Sequence, residues 1–189
     1  MRSRLRAWVA VFAMSTLMAP VRASDLSERP LRLPTLRAGS PCPVSIGSRN
    51  VVPHAAHIFG SGGVWFGDGP VYVSFAWKGD TVPAARFSVS PIPIVDGTRR
   101  AKTPWVTEPS FSGPILVRGR LLSAGARPLR FNNPRGTNYA LDMQAPHDRP
   151  SGADWSFEAS AMFIPGPGCY GLQIDTPRKS EHVIFEATP

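Results

Sequence analysis

Apolar and polar positions alternate most regularly between Trp155 and Phe163, where Trp155, Phe157, Ala159, Ala161 and Phe163 fall on one side and Ser156, Glu158 and Ser160 on the other. A period of two marks a β-strand with one face against a core. The stretch therefore predicts a strand with its aromatics and alanines inward and its serines and Glu158 in water. Pro165-Gly166-Pro167-Gly168 then turns the chain sharply, and Cys169, Gly171, Gln173 and Asp175 alternate with Tyr170, Leu172 and Ile174. A polar turn over Thr176 to Glu181 leads to Val183 and Phe185, completing a hairpin. Similar short runs at Val64 to Phe66, Val71 to Trp77, Phe87 to Val95, Ile115 to Leu122 and Leu129 to Phe131 bring the total to about eight strands. Trp65, Trp77 and Trp155 lie within these patterns and are assigned to the core. Arg118 and Arg120, two apart in one strand, share a face, expected to be the wet one.

No comparable helical period runs along the chain. The 21 prolines and 17 glycines are scattered without repeat, so almost every stretch of about a dozen residues meets a residue that ends a helix. Strands without intervening helices, closing on a strand, corner, cysteine strand and hairpin, predict an all-β fold: an antiparallel sandwich, immunoglobulin-like at its carboxyl end. With 189 residues, one domain is expected.

The amino terminus departs from this pattern. Arg2, Arg4 and Arg6 precede an apolar run from Ala7 to Met18, and Val21-Arg22-Ala23 ends the segment with small residues where signal peptidase reads. Residues 1–23 read as a secretory signal. As a membrane anchor the run is too short, about a dozen residues against roughly 20 for a span, and no cysteine follows it closely enough for lipid attachment. Residues 24–41 show no period and read as a flexible lead, with the folded domain over residues 42–189. Removing the signal changes the charge as well: Arg2, Arg4, Arg6 and Arg22 leave with it, and the net +8 falls to +4. The remaining cations form no stripe interleaved with aromatics, which argues against nucleic acid as a partner.

Export places the two cysteines in an oxidising setting, where an even, small number is normally a disulfide framework. Cys42 and Cys169 are expected to pair. The rival is a copper site with Cys169 and His182, but no methionine follows Met162 to complete it and Cys42 would be left over.

Cys42-Pro43-Val44, Gly63-Val64-Trp65-Phe66, the Gly113-to-Leu122 strand and Phe163-Ile164-Pro165-Gly166-Pro167-Gly168-Cys169-Tyr170 together resemble a group of uncharacterised bacterial secreted proteins. The resemblance covers most of the chain after the signal. It implies an aromatic after the late cysteine, usually tryptophan where this chain has Tyr170, and in many members a lipid-attachment cysteine that is missing here. It agrees with the sandwich and the disulfide and brings no activity.

Candidate chemistry is sparse. His54 and His57 have the spacing of two metal ligands on one helical turn, with only His147, Asp148 or His182 as conceivable third ligands; a solvated loop accounts for them. Gly60-Ser61-Gly62-Gly63 lacks the strand-to-helix elbow of a nucleophilic serine and the lysine of a phosphate cradle. Acid pairs for hydrolysis would come from Asp68, Asp80, Asp96, Glu108, Asp142, Asp148, Asp154 or Glu158, most of them in turn contexts. No cofactor motif is present. Two long connections, Asp96 to Gly113 and Asn132 to Asp154, hold Arg99, Arg100, Lys102, Trp105, Arg135, Tyr139 and Arg149. Loops of that length commonly bind something, so Trp105 and Tyr139 with Arg99, Arg100 and Arg135 form the candidate surface for a polar or anionic partner. The alternative is that the two aromatics fold back over the core. The sequence thus favours an exported, non-catalytic binding or structural module, acting on an envelope or extracellular ligand or protein. A hydrolase acting on envelope polymers and a metal-binding protein using His54 and His57 stand as alternatives.

Overall fold

A computed structural model describes residues 23–52, 63–75, 84–88, 94–123, 125–133, 136–146 and 154–189. Residues 1–22 of the signal segment, His54, His57, Trp77, Asp80, Arg135, His147, Asp148 and Arg149 lie outside them.

The chain forms two packed β-sheets. One contains β1 (Val71–Val73), β4 (Thr98–Thr107), β9 (Ser156–Ile164), β6 (Arg130–Asn133) and β7 (Gly136–Asn138) in that order, with β3 (Ile94–Val95) also on β4. The other runs β2 (Arg86–Ser88), β11 (Ser180–Thr188), β10 (Gly168–Asp175), β5 (Gly113–Leu121) and β8 (Ala140–Ala145). Pairing is antiparallel except between β2 and β11. Val73, Trp105, Ile115, Val117, Phe131, Met162, Leu172, Ile174, Val183 and Phe185 fill the space between the sheets. Phe185 stacks on Tyr170 with ring centroids 5.3 Å apart. The all-β sandwich expected from the alternation is what forms.

Two expectations are corrected. The stretch from Asp96 to Gly113 is not a long loop, since ten of its residues are β4. Asp96 and Gly97, with φ of 49° and 71°, make the two-residue turn between β3 and β4 that Asp-Gly favours in hairpins. The connection from Asn132 is likewise occupied by β7 and β8.

The faces of β9 are also reversed. Ser156, Ser160, Met162 and Ile164 are its buried inner positions, and Phe157, Ala161 and Phe163 face outward. The inner hydroxyls do not need water because β4 supplies partners. Thr103 Oγ1 and Ser160 Oγ lie 2.7 Å apart, Trp105 Nε1 donates to Ser160 Oγ at 2.9 Å, and Thr107 bonds Ser156. On the outer side, Phe157 and Trp155 pack against a second cluster of Val52, Trp65, Tyr72 and Val106. Both faces of the strand are largely covered, so alternation alone pointed to the wrong one.

Residues 24–41, expected as a flexible lead, carry ordered contacts to the second sheet. After the short helix α1 (Ala23–Ser27), the chain crosses the outer face of the second sheet as a strap. Leu26 and Leu33 are buried against that sheet, at 0% and 6% exposure. Arg118 donates to Arg29 O at 2.8 Å, Arg120 to Leu33 O at 2.8 Å and Gln173 Nε2 to Pro30 O at 3.1 Å, while Arg32 N–H donates to Gln173 Oε1 at 2.7 Å. Arg29 reaches back to Thr176 O and Pro177 O. The face of Arg118 and Arg120 is therefore a covered one.

The strap ends at Cys42, bonded to Cys169 with Cα atoms 5.5 Å apart. Such a bridge belongs to an oxidising, non-cytoplasmic compartment. Among the described residues no helix is long and apolar enough to cross a membrane.

Candidate binding site

The Asp96–Gly97 turn, residues 125–129 and the corner at Pro165 to Gly168 meet at one end of the sandwich. Register builds a row across three strands there: Arg100 of β4 faces Phe163 of β9, which faces Arg130 of β6. Neighbouring strands are about 4.8 Å apart, so the two arginines leave the backbone on either side of one aromatic residue. Arg130 Cζ lies 5.3 Å from the Phe163 ring centroid, a cation–π contact that holds the side chain in place.

Tyr139, between β7 and β8, stands beside this row and is 60% exposed. A cleft of about 310 Å³ opens between Thr98, Arg127, Pro128, Arg130, Tyr139 and Phe163, with Gly97 and Pro165 at its rim. Burial holds the nearby Tyr170 phenol above its ordinary range, against its hydrogen bond to Gly166 O and the charges of Arg127 and Arg99. Arg100 and Lys102, two apart on β4, are exposed. Among the described residues no carboxylate lines the cleft.

This arrangement is suited to recognition. Guanidiniums donate bidentate, charge-assisted hydrogen bonds to carboxylate, phosphate or sulfate oxygens, and the exposed phenol offers a flat apolar surface with a polar tip. Arg99 points to the opposite face of β4 from Arg100; of the residues singled out in the sequence, Arg100 joins the row beside Phe163 and Tyr139 lines the cleft. Trp105 does not: it is fully buried in the core with its indole nitrogen bonded to Ser160. Arg127, Arg130 and Phe163 are the additions. Arg130 was open to discovery, because it alternates with Leu129 and Phe131, whose apolar side chains point inward.

The opposite end gathers acids. Tyr72 donates to Glu108 Oε1 at 2.9 Å. Burial first, then Glu108, Glu181 and Asp68, push the Tyr72 phenol up to about 12. Glu181, absent from the sequence candidates because the pattern puts it in a polar turn, lies in β11; it accepts from Asp68 N–H at 2.8 Å and pairs with Lys179 at 3.2 Å. Its side chain is nonetheless only 5% exposed, and burial raises its carboxyl above the ordinary range. Among the described residues no group of three or more His, Cys, Asp or Glu is placed to hold a metal ion. No protein-family model, curated protein or solved structure matches the chain.

Proposed function

We propose that the chain is an exported, non-catalytic binding module, periplasmic or extracellular, that engages an anionic ligand or protein at the Arg127–Arg130–Tyr139 end. The observation that carries this reading is the composition of the cleft: two guanidiniums and an exposed phenol around one aromatic ring, with no carboxylate among the described residues of the lining. The amino-terminal basic and apolar segment and the bridge from Cys42 to Cys169 support export. Loop ends of a rigid sandwich are where binding residues commonly concentrate.

Binding of dextran sulfate, with neutral dextran as control, tests the reading. The sulfated polymer is expected to bind and the neutral one not, with affinity falling as salt rises through the Debye-screening range. The double variant Arg127→Ala/Arg130→Ala is expected to weaken binding about tenfold or more, as loss of a shared anchor does. Arg37→Ala/Arg49→Ala removes the same charge from exposed positions outside both clefts and is expected to change little. Equal losses in the two double variants would mean that net charge, not this site, is read.

A further inference from the structure

The end of the sandwich away from the arginine row carries a second opening, of about 490 Å³, lined among others by Glu108, Ser110, Phe111, Ser112, Arg178 and Lys179. We infer that it is a binding site for a small zwitterion of the amino-acid or short-peptide class. Its walls carry opposite charges, Glu108 on the β4–β5 connection and Arg178 with Lys179 on the β10–β11 turn.

Glu108 is held for such a role. Its backbone N–H donates to Pro70 O at 2.9 Å, and its carbonyl accepts from Phe111 N–H at 3.0 Å. Tyr72 fixes Oε1 and, with its phenol pushed up to about 12, remains a donor throughout the physiological range. Oε2 is left for an incoming ammonium. The facing turn is equally rigid: Thr176 N–H donates to Lys179 O at 2.8 Å, and Arg29 of the strap clamps Thr176 O and Pro177 O from outside. Lys179 shares its charge with Glu181, so exposed Arg178 is the main partner for a ligand carboxylate. Phe111 packs on the core and supplies an apolar floor for a side chain.

The charge pattern selects among ligand classes. A simple anion meets Glu108 and a simple cation meets Arg178 and Lys179, so each is opposed by one wall. A molecule bearing ammonium and carboxylate a few bonds apart satisfies both. The volume is in the range of small-molecule clefts. This inference is independent of the arginine row at the other end.

Titration calorimetry with the dipeptide Ala-Phe, its N-acetylated form and its C-amide tests the inference on the unaltered protein. The free dipeptide is expected to bind, and each cap to weaken it about tenfold by removing one charge-assisted contact. Glu108→Gln is expected to abolish the preference for a free ammonium while keeping that for a free carboxylate, and Arg178→Ala to do the reverse. Silence of Ala-Phe up to about 10 mM, equal binding of the capped forms, or binding of N-acetylglucosamine in its place would overturn the assignment.

Discussion

Single side chains in this protein are decided by whether their polar atoms find partners once water is gone. Ser160 is buried without penalty because Trp105 and Thr103 surround its hydroxyl, and its own proton goes to Thr103 O at 3.0 Å. Glu181 is less well served: Oε2 has Asp68 N–H and Lys179, but buried Oε1 has no hydrogen-bond partner among the described residues. Burial therefore raises its folded pKa above the ordinary 4.5, while the unfolded chain keeps the ordinary value. Between those two values the folded state holds more protons than the unfolded one, so this group's contribution to stability falls as pH rises. Glu181→Gln is expected to gain stability relative to the parent as pH climbs from about 4.5 toward neutrality. Urea unfolding of both proteins across that range measures it, and parallel pH profiles would exclude Glu181 as the source.

At the scale of elements, the strap shows how a segment without a pattern of its own becomes ordered. It contributes two apolar anchors, Leu26 and Leu33, and otherwise its own backbone groups, which β5 and β10 recognise through Arg118, Arg120 and Gln173. Arg118 also pairs at 2.7 Å with Asp175, which is fully buried and is shared with Gln173 and Ser180. Removing one member of a buried pair leaves an uncompensated charge and costs about 3–5 kcal/mol. Arg118→Ala is expected to destabilise by an amount of that order in chemical denaturation. It is also expected to open the Arg32–Leu33 bond to trypsin, which burial of Leu33 shields in the parent. A strap as resistant in Arg118→Ala as in the parent would show that Leu26 and Leu33 hold it alone.

For the whole molecule, the bridge between Cys42 and Cys169 matters more than any single contact. It closes a loop spanning 127 positions, for which the chain-entropy estimate is about 4.9 kcal/mol. Reduction, or Cys42→Ala/Cys169→Ala, is expected to lower unfolding free energy by roughly that much, and to loosen the strap at its carboxyl end first. Hydrogen exchange at residues 31–44 before and after reduction would show the order of release. Uniform loss of protection over both sheets would mean that strap and sandwich unfold as one unit.

The sequence by itself determined the local features of this protein. Strand-long alternation, dense Pro and Gly punctuation and an even cysteine count lead to an all-β sandwich with one bridge, because each is a property of neighbouring residues or of composition. Asp96-Gly97 carried its hairpin in the same way, and only the weight given to loop length hid it. Tertiary structure decided which face of each strand is dry. The serines of β9 turned inward because Thr103, Trp105 and Thr107 of β4 bond them or their neighbours, and those residues lie about fifty positions away in the chain. It also decided that residues 23–41 form a strap, since their partners are side chains of β5 and β10. The arginine row exists only because pairing places Arg100, Phe163 and Arg130 side by side. Alternation records a period, but burial depends on what a strand packs against, and that is settled by contacts between residues remote in sequence.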